Sequence, residues 1–369
     1  MKRRGFLKTL ALSCGIARSL QIPQKAIADA GKLPLVEARF WKKNEDGSIS
    51  CELCPNRCRI SNHGRGRCKA RTNQDGTLFS LVYGNLSTIA IDPIEKKPVF
   101  HVLPGSNSLS ISAAGCVLSC RYCQNWQISQ ATPEEVCNIH ITPAMLVDQA
   151  LKMDCKSISY TYNEPTVFYE FMYDTAKIAQ QKGLRNIMVS CGYINPEPLK
   201  QLLPLIDVIK VDLKGFSESF YHEVARGRLE PVKQTIANLA AAGKLMDIVC
   251  LIVPGLNDQE TECNEMFKWL KDTAGENAAI FLSRFYPTFK LKNVAPTPVS
   301  KLEKLRQMAL ATGLKFVYLG NVPGHDGENT YCPKCGKLLI ERLGYQIRQN
   351  LLKNGCCSYC GEKIPGIWT

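Results

Sequence analysis

The sequence has no apolar run long enough to cross a bilayer as a helix, and no low-complexity tract. It also lacks any repeat at the period of roughly 20 to 50 residues that marks a solenoid. A helical membrane span and a stacked-repeat architecture are thereby excluded. Histidine is scarce, with five residues. Two of them, His101 and His222, have no ligand or catalytic spacing of their own behind them, and a lone histidine is usually structural. Basic residues outnumber acidic ones, 46 to 33, for a net charge of +13. Apart from Lys2, Arg3, Arg4 and Lys8, the basic residues are scattered, with no stripe interleaved with aromatics. The excess therefore reads as a solvated basic surface, and no nucleic-acid partner is expected. At 369 residues and 45% hydrophobic, the chain can bury a full core and carry smaller attachments.

Cysteine is what the sequence holds in quantity: eighteen residues, most of them in tight clusters. Disulfide-stapled scaffolds are usually short, and a chain of this length does not need staples. Gaps of two or three residues suit one metal or cluster gripped from a single loop. Metal is the expected reading. The first thirty residues stand apart. Arg3-Arg4-Gly5-Phe6-Leu7-Lys8, a short apolar stretch from Thr9 to Ala17 and Ala26-Ile27-Ala28 resemble a twin-arginine export signal with a small-residue cleavage site. Arg18 cuts the apolar stretch short, so residues 1–30 are set outside the fold and their use as a signal stays open.

From Ser108 onward the pattern becomes strand, turn, helix. Strands are expected at 108–113, 156–161, 185–190, 206–211, 246–252, 279–284 and 315–318, most of them Ile- and Val-rich runs suited to burial on both faces. Helices are expected near 143–152, 166–182, 196–203, 231–242, 259–273 and 299–311. Repeated β-then-α alternation implies a parallel α/β sheet, and too few units are present for a full eight-unit barrel. The expectation is a partial, TIM-like (β/α)6 barrel over 106–325, preceded by a Cys-rich segment at 31–105 and followed by a small module at 326–369. Chemistry should gather at the C-terminal strand ends.

The central cluster, Gly115-Cys116-Val-Leu-Ser-Cys120-Arg-Tyr122-Cys123, follows the first expected strand. Three cysteines spaced C-x3-C-x2-C can ligate three corners of an iron–sulfur cubane, whose ferredoxin-type relatives use four thiolates. A missing fourth ligand leaves one iron open for substrate chemistry. The alternative, a zinc site, wants four protein ligands, and Cys137 is the only nearby candidate. Two C-x-x-C-Gly knuckles, Cys332–Cys335 and Cys357–Cys360, have the layout of a tetrahedral zinc ribbon, with an additional cluster as the alternative because Cys356 is also present. Cys51, Cys54, Cys58 and Cys68 form C-x2-C-x3-C-x9-C, with Arg57, Arg59, Arg65 and Arg67 around them. Zinc and a second iron–sulfur cluster are both reasonable there, and spacing does not separate them.

C-x3-C-x-(aromatic)-C, with Tyr122 as the aromatic, resembles the signature of the radical S-adenosylmethionine (SAM) superfamily. The resemblance extends from Ser50 to the C-terminus. CELCPNRC with GRGRCKAR, IDPIEKKPVFHVLPG, GCVLSCRYCQNWQISQ, YTYNEPTVFYE, VDLKG, LIVPGLND, RFYPTFK, YLGNVPG and the paired CxxCG units are similar to the radical SAM enzymes of AmmeMemoRadiSam systems. Those enzymes are a branch of the pyruvate formate-lyase activating-enzyme-like group. The resemblance implies a [4Fe–4S] cluster on Cys116, Cys120 and Cys123 that cleaves SAM to a 5′-deoxyadenosyl radical. It also implies an external low-potential electron donor and Memo-like and AMMECR-domain protein partners. SAM contacts are expected from Tyr122, Asn163, Glu164, Ser190, Asp212 and Lys214, each with a plainer alternative. Tyr162-Asn163 stands where two glycines often precede the Glu-Pro of the superfamily, and Glu164 also suits a helix N-terminus. Ser190 suits a simple turn, and Asp212 with Lys214 a surface ion pair. Val253-Pro254-Gly255 is a turn that could pass near the adenosine, and Arg284 and Tyr286 are weaker substrate-pocket candidates. A glycyl-radical activase and a non-catalytic electron-transfer module are the rival functions. Chemistry that uses SAM and low-potential electrons points to the cytoplasm, with periplasmic export as the alternative. The sequence does not reveal the substrate.

Overall fold

A computed structural model describes residues 35–369, so the twin-arginine-like segment lies outside the described residues. The chain divides into two compact units. The first comprises residues up to Asp92, Ser108–Ser119 and Asn125–Ile206; the second comprises Pro93–Asn107, Cys120–Gln124 and Asp207–Thr369. All seven strands and six helices expected from Ser108 onward are present, within a residue or two at most ends.

In the first unit, β1 (Asn107–Ser112), β2 (Ser157–Tyr160) and β3 (Arg185–Ser190) form a parallel ladder in which Ile111 opposes Tyr160 and Tyr160 opposes Met188. Nearly every residue of these strands is buried, as covering on both faces requires. Helices α1 (Pro143–Lys152), α2 (Tyr169–Gln181) and α3 (Pro196–Leu202) follow the strands in turn. Thr142 caps α1 by accepting from Met145 N at 3.3 Å, and Pro143 supplies the fixed φ of a first turn. α2 buries Phe171, Met172, Thr175, Ala176 and Ala179, a stripe at helical spacing. Before the ladder, two small antiparallel sheets organise the Cys-rich segment. One holds Val36–Glu37, Thr77–Ser80 and Arg71–Gln74; the other holds Trp41–Lys43, Ile49–Cys51 and Arg59–Ile60. Arg71 in the first of them is fully buried and pairs with Glu170 of α2 at 2.5 Å.

In the second unit, β4 (Val208–Asp212), β5 (Leu245–Ile252), β6 (Ala279–Arg284) and β7 (Phe316–Gly320) are again parallel and adjacent in chain order. Helices α4 (Glu230–Ala241), α5 (Glu260–Ala274) and α6 (Val299–Ala311) connect them. The C-terminal residues add an antiparallel sheet, Thr330–Tyr331, Leu338–Leu343 and Gln346–Asn350. Cys332 and Cys357 share one hydrophobic cluster with Phe100, Val249, Phe281 and Tyr318. Arg342 is buried beside them. It donates to Thr330 Oγ1 at 2.8 Å and Phe100 O at 2.9 Å, and its guanidinium lies 4.1 Å from the Phe100 ring centre. His101 is buried and shares a 2.7 Å hydrogen bond with Tyr318 OH, the structural role expected of a lone histidine.

Asp247 opposes Lys210 in the β4–β5 register and is buried, and neither carboxyl oxygen has a hydrogen-bond partner among the described residues. Burial pushes this carboxyl up from 3.8 to about 8, even though Lys210 and Arg342 pull it down. Between those two values the unfolded chain has lost a proton that the folded protein keeps, so the group costs stability as pH rises through this window. Asp247→Asn is therefore expected to raise the thermal midpoint relative to the parent at pH 8 and to change it least near pH 4. Midpoints measured across that range give the sign directly.

Candidate active site

The loop after β1 carries Cys116, half-buried, and four hydrogen bonds hold its backbone. Gly115 N donates to Ile128 O at 2.9 Å. Asn163 Nδ2 donates to Gly115 O at 2.7 Å and Asn56 Nδ2 to Val117 O at 2.8 Å. Gln130 Nε2 reaches Leu118 O at 3.3 Å. Gly115 has φ +94, and a Cβ built on it would lie 2.1 Å from Cys68 O. Only glycine fits that approach.

After β2, Tyr162 stands at φ +68, the left-handed region that a bulky side chain rarely adopts. It is held there from both ends: its hydroxyl donates to Asp92, and Asn125 Nδ2 donates to its carbonyl at 2.6 Å. The turn thus keeps a glycine-type backbone although the superfamily's glycines are replaced. Asn163 Nδ2 also donates to Ala113 O at 2.8 Å, while its Oδ1 is buried without a partner among the described residues. Glu164 is buried and caps the short helix Pro165–Phe168, as expected of an acid at a helix start. Its Oε1 accepts from Thr166 Oγ1 at 2.6 Å and from Ser190 Oγ at 2.8 Å, and its Oε2 accepts from Cys191 N at 2.7 Å. The carboxylate therefore ties the end of β2 to the end of β3, bringing Glu164 and Ser190 together.

The chain passes from the first unit to the second between Ser119 and Cys120. There Arg121 N donates to Val224 O, and Lys290 N to Arg121 O, both at 2.9 Å. Tyr122 is buried with its ring centre 6.2 Å from that of Phe220 and its hydroxyl unpartnered among the described residues. At the end of β4, Lys210, Asp212 and Lys214 occupy alternate positions and so share a face. Lys210 bonds Asp212 Oδ1, and Lys214 Nζ reaches Asp212 Oδ2 at 2.9 Å. Burial raises the Asp212 carboxyl, but Lys210 and Lys214 overcome it and hold it down at about 2. Burial also pushes the Cys120 thiol up to about 12, against the pull of Lys214 and with the push of Asp212. The lysine–carboxylate pair therefore lies within electrostatic reach of a motif cysteine. It is a part-buried pair and not the surface pair considered as its alternative. Asn257 fixes this strand end by donating to Lys214 O at 2.8 Å and accepting from Val253 N at 2.7 Å. Arg284 and Tyr286 are joined at 3.1 Å on a more exposed edge.

No disulfide joins the described cysteines. Cys332, Cys335, Cys357 and Cys360 converge with all four sulfurs within 4.8 Å of one another, a cage sized for one metal ion. Cys51, Cys54, Cys58 and Cys68 are neighbours as well: Cys54 responds electrostatically to the other three thiols, and Cys68 to Cys51 and Cys58.

The model of the radical SAM superfamily matches residues 110–268, which span the cysteine motif and the strand ends described above. The chain belongs to the radical SAM superfamily. An uncharacterized protein of Methanocaldococcus jannaschii is 44% identical over 330 residues, covering 89% of this chain and 98% of that protein. The benzylsuccinate synthase activating enzyme of Thauera aromatica is 23% identical over 47% of this chain and 56% of its own length. The pyruvate formate-lyase-activating enzyme of Streptococcus mutans is 22% identical over 42% of this chain and 63% of its own length. The chain is thus a radical SAM enzyme of activase-like type, a family that implies a [4Fe–4S] cluster and SAM, and the electron-carrier alternative is set aside. No helix among the described residues is long and apolar enough to cross a membrane.

Sequence reading passed over Asn125 and the Cys191 amide in the first unit and Lys210 and Asn257 in the second. Lys210 was signalled by the alternation Lys210-Val-Asp212-Leu-Lys214; the others act on backbone atoms and leave no motif. Gly115→Ala is expected to lower iron content and SAM turnover together. The left-handed backbone alone costs roughly 1–3 kcal/mol for a residue with a Cβ, and the Cys68 carbonyl must also move. Iron assay and 5′-deoxyadenosine release from anaerobically prepared protein measure both losses.

Proposed function

We propose that this radical SAM enzyme binds its [4Fe–4S] cluster through Cys116, Cys120 and Cys123 and cleaves SAM reductively, so that a hydrogen atom is taken from a further substrate. The observation that carries the reading is the Asp212–Lys214 pair within electrostatic reach of Cys120, a cluster cysteine beside groups of the charge that SAM demands. When bound, the cluster supplies one electron from an external low-potential donor, breaking SAM into methionine and a 5′-deoxyadenosyl radical.

The residues of the chain bind and orient. Lys214 takes the SAM carboxylate, and Asp212 the amine or ribose. Asp212 stays ionised because two lysines hold its proton off. Asn163 offers the ammonium an acceptor, since its buried Oδ1 has no protein partner among the described residues and buried polar groups are rarely left so. Glu164, anchored by Ser190 and the Cys191 amide, sets the turn that presents Asn163. Tyr122 lends a second unpartnered polar atom from the motif itself. The C-terminal quartet holds structural zinc, for which four thiolates in a closed tetrahedron are the usual set.

We read the parallel strands as a partial (β/α)6 barrel over 106–325, the Cys-rich 31–105 segment and the 326–369 ribbon as its attachments, and the cytoplasm as its place of work. The order of motifs from CELCPNRC to the paired CxxCG supports an AmmeMemoRadiSam system, with Memo-like and AMMECR-domain proteins as partners. A glycyl-radical activase is the second reading, favoured by the relatives that bear activating-enzyme names. Its product would be a glycyl radical on a partner protein, visible by electron paramagnetic resonance (EPR).

Anaerobically reconstituted protein given dithionite and SAM should release 5′-deoxyadenosine, and Cys120→Ala should reduce that release to background with zinc content unchanged. Intact turnover in that variant would remove Cys120 from the cluster. Cys357→Ser is expected to lose the zinc ion and lower the thermal midpoint while the EPR signal of the reduced SAM cluster persists, as metal analysis beside spectroscopy would show.

A further inference from the structure

Asp212 is gripped at both carboxylate oxygens, and the two grips differ. Lys210 Nζ bonds Oδ1 from within β4, and Lys214 Nζ reaches Oδ2 at 2.9 Å from beyond the strand end. The side chain of Lys210 is 7% exposed, that of Lys214 16% and that of Asp212 27%. Lys210 is the most deeply covered of the three, so the carboxylate has a closed side at Oδ1 and a more open one at Oδ2.

Lys210 has a second carboxyl within electrostatic reach. Asp247 stands beside it in the β4–β5 register, and each acts on the other's charge. Yet neither oxygen of Asp247 has a hydrogen-bond partner among the described residues. The lysine turns along its own strand to Asp212 and leaves its neighbour across the sheet unbonded. Beside Asp212 the register sets Val249, part of the apolar cluster that includes Phe281 and Tyr318 and a side chain without a donor. An anchor for Oδ1 has to come from β4 itself, and position 210 supplies it from the same face.

Burial disfavours a charged lysine, and it lowers Lys210 from the ordinary value while Asp212 and Asp247 raise it. A methionine would fill similar space with no charge to desolvate, and apolar replacements of buried ion pairs are often neutral or stabilising. Stability alone is thus a weak reason for lysine at 210. Orientation is a stronger one. With Oδ1 held from beneath, the carboxylate plane is fixed and Oδ2 keeps one direction. The backbone of Lys214 is pinned as well: its N–H donates to Tyr221 OH at 3.1 Å, and its carbonyl accepts from Asn257 Nδ2 at 2.8 Å. What can shift there is the flexible side chain.

We propose that Lys210 is a positioning residue for SAM, anchoring Asp212 Oδ1 permanently while Lys214 only occupies Oδ2 until SAM arrives. On binding, the Lys214 amine passes from Oδ2 to the SAM carboxylate, and Oδ2 accepts a hydrogen bond from SAM in its place. One ion pair is exchanged for another, and no covalent bond or proton moves. This role rests on the reading of Asp212 and Lys214 as SAM contacts, and it adds a residue that acts only through Asp212.

The test is equilibrium binding of radiolabelled SAM to the full-length, anaerobically reconstituted protein. Lys210→Met strands no charge, because Asp212 keeps Lys214. It should weaken SAM binding by at least about tenfold, the scale of one lost charge-assisted hydrogen bond. Asp212→Asn should weaken it at least as much. The double variant should bind within about twofold of Asp212→Asn alone, because the second loss passes through the first. Unchanged affinity in Lys210→Met, or a double variant whose loss is the product of the two single losses, overturns the positioning role. If Lys210→Met lowers iron content or the thermal midpoint, Lys210→Gln repeats the cycle with the same expectations. Failure of the underlying reading looks different: Asp212→Asn then binds SAM as tightly as the parent, and the role of Lys210 falls with it.

Discussion

The carbonyl of Cys68 occupies the space that a side chain at position 115 would need. That one backbone approach fixes much else in the first unit. It requires glycine in a left-handed conformation just before Cys116, so the direction in which the motif leaves β1 follows from it. It also seats the Cys-rich segment, with its two small sheets, against the start of the motif loop. Asn56, Asn163 and Gln130 then pin the carbonyls of the loop one after another. The protein itself thus supplies the shape of the motif loop in advance of anything its thiols hold.

Charge is managed by the same strategy of holding groups ready. Lys210, Asp212 and Lys214 stand at alternate positions of one strand end, so a half-buried carboxylate stays ionised between two ammonium groups. In the first unit a carboxylate is used differently. Glu164, just after β2, accepts hydrogen bonds from the end of β3 and from a helix start, which makes it a fastener of the turn. Asp247, by contrast, is a buried acid with no hydrogen-bond partner among the described residues. It marks the point where the β4–β5 ladder tolerates a cost.

Regular elements were legible from the sequence because strands buried on both faces leave continuous Ile- and Val-rich runs, and the helices between them carry Pro or Thr at their starts. The cysteine motif was legible because three thiols at fixed gaps have few other uses. What could not be read were contacts that run through the backbone. Tyr162 looked like a departure from a glycine pattern. The structure shows that Asp92 and Asn125 hold it in the glycine conformation, a compensation from residues 70 and 37 positions away along the chain. Asn257 and the Cys191 amide act on main-chain atoms or through them, so residue type alone gave no signal.

The two cysteine quartets show where sequence spacing stops being informative. Both offer four thiolates, and short gaps bring them together in either case. In the C-terminal set the unit is a pair of equivalent knuckles, each turned by a glycine, Gly336 at φ +69 and Gly361 at φ +74. Two such knuckles facing each other place four sulfurs on one small tetrahedron. The N-terminal set has no such symmetry. Three thiols come from one loop across a strand pair, and the fourth arrives from a turn whose position is dictated by its contact with Gly115. The turn that carries Cys68 is seated by its packing against the motif loop, a contact that no count of intervening residues encodes.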